Sequence, residues 1–496
     1  MRNRLLLAIG GSLLVGIAGV VYADATPSSE VSLRAEMAAL RAELNQLKVQ
    51  QDGAYLKQRR AEEFKAMVQD VMSDADTRAS LLESGMTAGH NGENFFLASD
   101  DGGFRVEISG QVQIRHISNF QDTDDDTDGA TAPTTGIVVT TDEDDSERGF
   151  EVHRAKIQFA GHIADPRLNY AIRLAVGHDD NDVSADRIVV SYALSDNLTL
   201  WGGEDKGPLL REELTSSAHQ LAVERTLINE IFTVDYQQGV GLKWDADESL
   251  KVQAMISDGS HSGDGATSPN PLTQGGASQA GVVGGAVALS NTSKAYDEDR
   301  SDIAITARAD MKLEGAWSQQ DDFTAGVGED TAIFIGVGIH YEVGETGDSA
   351  FNNNFVSWTV DGSIESEGWN FYLAVMGMHT GLEDDAVIVG DDQDLFGMIV
   401  QGGYRIPDTQ WEPFVRWEFL DSDDVFTTAT DVPYGDTSIM TFGVNRYLHG
   451  HDAKLTFDVV WALDPSPLTD AGTGIQADDH NDDEQVVIRA QFQLLF

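Results

Sequence analysis

The sequence predicts an all-β fold: a 16-stranded antiparallel transmembrane β-barrel, preceded by an N-terminal signal peptide and a short periplasmic α-helical coiled coil. Three observations carry this prediction. From Gly103 onward, stretches of about ten residues alternate apolar and polar side chains, the length and period of tilted membrane-crossing strands. Long and short connections alternate between them, as in barrels with extended outer loops and tight inner turns. The final stretch sends Val486, Ile488, Ala490, Phe492, Leu494 and Phe496 one way and Arg489, Gln491 and Gln493 the other, and it ends on an aromatic residue.

The chain begins with Arg2 and Arg4, then an apolar run from Leu5 to Val21 interrupted by glycines, then the small residues Ala23 and Ala25. That is the pattern of an export signal over residues 1–23, with cleavage after Ala25 as the alternative. No later stretch reaches 18 consecutive apolar residues, so a membrane-integral form must cross with strands. Leu33, Met37, Leu40, Leu44 and Leu47 follow with 4-3-4-3 spacing, and Phe64, Val68 and Val71 resume the seam. A helical segment over 31–72 with this seam suits an oligomerising coil, although a single amphipathic helix lying on the body would show the same spacing. Residues 73–103 are polar and glycine-containing and read as a linker to the barrel domain, 104–496.

Within that domain the alternation places strands at about 105–119, 150–163, 168–177, 186–194, 197–204, 235–244, 249–257, 302–312, 331–343, 353–364, 368–379, 395–406, 411–421, 437–448, 452–463 and 485–496. One inner connection, 313–330, is too long for the rhythm. Aromatic residues near strand ends (Tyr192, Trp201, Trp369, Tyr372, Tyr404, Trp417, Tyr447 and Trp461) suit interfacial girdles.

Charge sharpens the functional reading. The chain carries 32 Lys+Arg against 83 Asp+Glu, a formal net charge of −51, which excludes nucleic-acid binding and polybasic docking on anionic lipid. It has no cysteine, which removes disulfide frameworks, thiol catalysis and Cys-based zinc sites. Over the strands the charges nearly cancel, so the acid sits in loops; residues 122–147 alone hold ten carboxylates. No Asp-x-Asp-x-Asp-Gly run in these loops is followed by the distant Glu that completes a calcium-binding loop, and His449-Gly450-His451-Asp452 reads as a solvated turn. No nucleophile elbow, zinc-protease or phosphate-loop motif occurs, so no cofactor, metal or enzymatic activity is expected. Strand cations must face inward, because charge on the lipid face is costly. The expected pore-lining residues are Arg105, Arg115, Arg154, Lys156, Arg173 and Arg187, and the connection 205–234 offers Lys206, Arg211, Glu212, Glu213 and Arg225 for a constriction.

Several segments resemble the phosphate-selective porin O and P family of outer-membrane channels. They are Gly149-Phe150-Glu151-Val152-His153-Arg154-Ala155-Lys156-Ile157, Val190-Ser191-Tyr192-Ala193-Leu194, Arg211-Glu212-Glu213-Leu214-Thr215-Ser216-Ser217, Val223-Glu224-Arg225-Thr226 and Gln238-Gly239-Val240-Gly241-Leu242. The resemblance covers roughly 104–496 and is strongest before 260. It implies a trimeric 16-stranded porin in outer-membrane lipid, a loop after the fifth strand folded into the pore, and solutes that include anions such as phosphate. The departure is charge: Lys206, Arg211 and Arg225 are mixed with Glu204, Asp205, Glu212, Glu213 and Glu224, where phosphate-selective members are rich in Lys and Arg. The resulting expectation is a passive channel for ions and small hydrophilic solutes, with the 33–72 helix making a periplasmic contact. The alternatives are a barrel that tethers the envelope and an outer-membrane hydrolase.

Overall fold

In the computed structural model of the chain, described residues are 85–92, 94–121, 146–176, 183–260, 303–346, 351–382, 393–422, 435–466, 472–476 and 485–496. The chain divides into two units, Met1–Ser84 and Gly85–Phe496. The expected signal peptide, the coiled coil and most of the acidic 122–147 segment lie outside the described residues.

Period-two alternation of β-branched and aromatic residues with polar ones gives strands at every expected place. They are β1 Met86–His90, β2 Phe95–Ser99, β3 Phe104–Phe120, β4 Ser146–Ile163, β5 Asp165–Val176, β6 Val183–Ser195, β7 Leu198–Lys206, β8 Tyr236–Asp245, β9 Leu250–Ser257, β10 Ile303–Glu314, β11 Ala332–Thr346, β12 Phe351–Ser366, β13 Trp369–Leu382, β14 Gln393–Tyr404, β15 Trp411–Asp421, β16 Thr437–His449, β17 Ala453–Ala462 and β18 Gln485–Leu495. From β3 to β18 each strand pairs antiparallel with the next, and β18 closes onto β3 from Val486↔Phe120 to Leu495↔Gln111. This is a closed 16-stranded barrel, which leaves no sheet edge in an apolar environment. Phe496 completes the seam: its backbone exchanges hydrogen bonds of 2.6 and 3.1 Å with Gly110. A Cβ at position 110 would lie 2.3 Å from the Phe496 ring, so glycine makes the seat for that side chain.

The linker expected over 73–103 is corrected for part of its length. β1 and β2 form a hairpin within it, and β2 pairs with β3 from Phe95↔Ile108 to Ala98↔Arg105, on the edge that β18 occupies further along. The Phe95/Leu97 alternation is short and bounded by Asn and Gly, which hides it in a polar context.

The outer face is apolar, with Ile114, Val190, Val240, Ile256, Val337, Phe371, Phe442 and Phe457 all exposed, as a lipid-facing band requires. Trp369, Tyr404, Trp411 and Trp461 are exposed near strand ends, where a girdle would lie, but Trp201, Tyr372 and Tyr447 are buried. Those three face the interior, where side-chain packing rather than an interface claims them.

The interior has two sectors. On β13 to β18 the inward positions include Tyr372, Ala374, Met376, Ile399, Phe414, Leu420, Ile439, Val460 and Val487, all buried. They form one apolar cluster with Leu209, Leu221, Leu227, Ile228, Ile231 and Phe232, which lie on the connection between β7 and β8. That connection, 207–235, therefore folds into the barrel and covers one side of its wall. It contains two short helices, α1 Arg211–Leu214 and α2 Leu227–Phe232.

Candidate functional site

A loop at barrel depth must have its backbone polar groups satisfied, and the wall supplies partners for them. Asp458 accepts from the Val223 amide at 2.9 Å and Glu418 from the Leu227 amide at 2.8 Å. Arg416, Asn445 and Lys454 donate to the carbonyls of Glu224, Leu221 and Gln220, each at 2.8 Å. Within the loop, Thr226 caps α2 by accepting from the Asn229 amide at 2.8 Å, and Glu212 accepts from the Thr226 hydroxyl at 2.6 Å. Each full burial of a side chain such as Ile228 or Phe232 adds about 1.5–3 kcal/mol to the seating of the loop.

Glu224 anchors the loop to the opposite strands. Arg154 grips it with two hydrogen bonds of 2.7 and 2.9 Å, His153 lies at 2.9 Å and Arg115 at 3.5 Å. Burial pushes this carboxyl up, but Arg154 and His153 outweigh that and hold it well below the usual range. The neighbours Glu212 and Glu213 diverge. Burial raises Glu212 to about 7, whereas Arg225 and Lys206 overcome burial at Glu213 and hold it down.

Between the loop and the strands it does not cover lies a cavity of about 1000 Å³. Ten cationic side chains line it (Arg154, Lys156, Arg173, Arg187, Lys206, Arg211, Arg225, Lys243, Lys251 and Arg308) against six carboxylates (Asp205, Glu213, Glu230, Asp235, Asp310 and Asp321). Its lining is therefore cationic in a strongly acidic chain. Part of that charge is compensated locally: Lys156 and Arg173 share Asp186 at 2.7 Å each, and Arg187 pairs with Asp205 at 2.9 Å.

Of the expected pore-lining residues, Arg154, Lys156, Arg173 and Arg187 reach this cavity; so do Lys206, Arg211, Glu213 and Arg225 from the loop. Three expectations are corrected. Arg105 sits at the turn end of β3, paired with Glu107 at 2.6 Å and 4.5 Å from the Phe96 ring centroid, away from the cavity. Arg115 points inward but lies beneath the loop, bonded to Glu151 and to the Gly472 carbonyl. Glu212 faces the wall rather than the cavity, 3.9 Å from Arg416.

Sequence reasoning missed Lys243 and Lys251, which alternation alone would have placed inward, and Asp321, on the connection that was too long. It also missed the covered wall, although Phe371-Tyr372-Leu373-Ala374-Val375-Met376 is uninterrupted and signals a strand buried on both faces. Among the described residues there is no group of metal-ligating side chains, and His449 pairs with Asp452 at 3.0 Å within its turn.

Residues 138–365 match the model of the family "Phosphate-selective porin O and P", in agreement with the resemblance in the sequence. No curated protein matches the chain. Similar solved structures include an anion-selective porin from Comamonas acidovorans, 10% identical, covering 79% of this chain and 99% of that one at a TM-score of 0.49. Others are the outer membrane channel DcaP of Acinetobacter baumannii (11%, 78% and 97%, 0.44) and OprB of Pseudomonas putida (10%, 85% and 96%, 0.43).

Proposed function

We propose that this chain, similar to the phosphate-selective porin O and P family over residues 138–365, is an outer-membrane porin: a passive diffusion channel for ions and small hydrophilic solutes. The observation that carries the reading is a closed barrel whose inward loop leaves a charged cavity instead of filling the lumen. Such an interior lowers the barrier to ions and polar solutes, while the apolar outer face matches lipid. The short turns lie on the periplasmic side and the long loops outside. The excess of lining cations favours small anions, and Lys156, Arg173, Arg187, Lys206, Arg211 and Arg225 are the residues that contact them. The assembly is a homotrimer, with the 33–72 helix in the periplasm contributing to it.

Planar-bilayer recording tests the channel itself. Stepwise conductance is expected from the refolded protein; insertion into bilayers without conductance would overturn the reading. Light scattering in detergent tests the trimer, and a monomer would refute it.

A further inference from the structure

The connection between β10 and β11 differs from the other turns at its end of the barrel. β4 and β5, or β12 and β13, are joined by a residue or two, whereas 315–331 separate Glu314 from Ala332. A 3-10 turn, Trp317–Gln320, begins this connection. Trp317 Nε1 donates to the Glu248 carbonyl at 3.1 Å, and the ring centroid lies 4.4 Å from Lys251 Nζ and 5.4 Å from Lys312 Nζ. The chain then turns into the lumen. Phe323 is buried, with its ring centroid 4.8 Å from that of Tyr372, and Asp322 lies 3.4 Å from His451.

There it meets the inward loop. Arg211 donates to the Gln320 carbonyl at 3.3 Å and stacks its guanidinium 5.2 Å from the Phe323 centroid, and His219 Nδ1 lies 3.2 Å from the Asp321 carbonyl oxygen. Two connections from opposite ends of the barrel thus clasp each other inside it. Gln320 and Asp321 stand in the cavity lining beside Arg211, Lys251 and Asp310.

We propose that this turn is a second constriction, built from the periplasmic side, and that Asp321 is a selectivity-determining residue for small anions leaving the cation-lined wall. The inference rests on the channel reading. Conduction requires a solute to be held well enough to enter and weakly enough to leave. Cations along the wall favour entry; a fixed carboxylate near Lys251 makes the well shallower at the exit and admits cations that the wall alone would repel. The Trp317 platform and the Phe323 contact hold the turn up against the current's path.

The test is reversal potential across a KCl gradient and unit conductance in bilayers, for wild type, Asp321→Asn, Lys251→Gln and a variant with 316–330 replaced by a two-residue turn. Asp321→Asn is expected to raise the chloride/potassium permeability ratio about twofold, Lys251→Gln to lower it, and the shortened turn to raise unit conductance. Because Phe323 is buried, the shortened variant is first checked for heat-modified migration of a folded barrel; a folded variant with unchanged unit conductance overturns the constriction, while Asp321→Asn removes charge with little change in shape. A conducting wild type whose permeability ratio is unchanged by Asp321→Asn overturns the inference and leaves the channel reading standing. A wild type that never conducts overturns both.

Discussion

At the scale of single residues, inward charges divide into those that hold the loop and those that face the cavity. Arg154 does both, through its paired bonds to Glu224 and its place in the cavity. Arg154→Ala is expected to loosen the loop, costing about 2 kcal/mol or more and adding open-channel noise, because Glu224 stays buried with fewer partners. Lys156→Ala leaves Asp186 paired with Arg173, so it should lower the anion/cation permeability ratio about twofold while the current stays quiet. Single-channel recording of both separates the roles; equal noise in the two variants would contradict the division. Gly110 answers to packing alone. Gly110→Val must displace the Phe496 ring, and overpacking at the closing seam is expected to cost about 1–3 kcal/mol, read as a lower heat-dissociation temperature of the folded barrel. Inward orientation of Arg154 and Lys156 was legible from alternation; that Glu224 would meet the first was not, because residues 70 apart carry no local signal of contact.

At the scale of elements, the sixteen barrel strands were legible, and the β1–β2 hairpin and the connections were not. Each strand repeats one simple constraint, lipid on one side and polar or packed interior on the other, so its period is written in the residues. The 207–235 loop obeys no period, and its course is set by partners such as Asp458, Glu418 and Asn445, far along the chain. The turn 315–331 announced itself only by its length. Its contact with the 449–453 turn carries a pH dependence. Burial lowers His451 to about 4, with Lys454 adding to that and Asp322 opposing it; His219 also faces the ring. The unfolded imidazole titrates near 6.5, so the contact is fully stable above that pH and loses up to about 3 kcal/mol as pH falls toward 4. Protection factors of the 315–331 amides, taken relative to intrinsic exchange at each pH, should fall over that interval in wild type and not in His451→Gln. Equal protection at pH 7 and pH 4 in wild type would refute it.

At the scale of the whole molecule, two fields compete. The chain's net charge of −51 resides largely in its connections, while the cavity lining is cationic. Exposed carboxylates lose their reach beyond about 8–10 Å at physiological salt, whereas charges in a narrow lumen are screened less. The permeability ratio is therefore expected to shift toward anions as salt rises from about 0.05 to 1 M, measured by reversal potential; a shift toward cations would show that the wall pairs neutralise themselves. Sequence by itself determined the sixteen strands, the faces they present and the membrane-spanning class, because each follows from a short-range period that lipid enforces. Tertiary structure alone decided which half of the lumen is filled, that Arg115 lies beneath the loop and the loop's own Glu212 turns to the wall while Lys251 and Asp321 face the cavity, and that a turn rises to meet that loop. Those outcomes depend on contacts between residues tens to hundreds of positions apart, which no local pattern encodes.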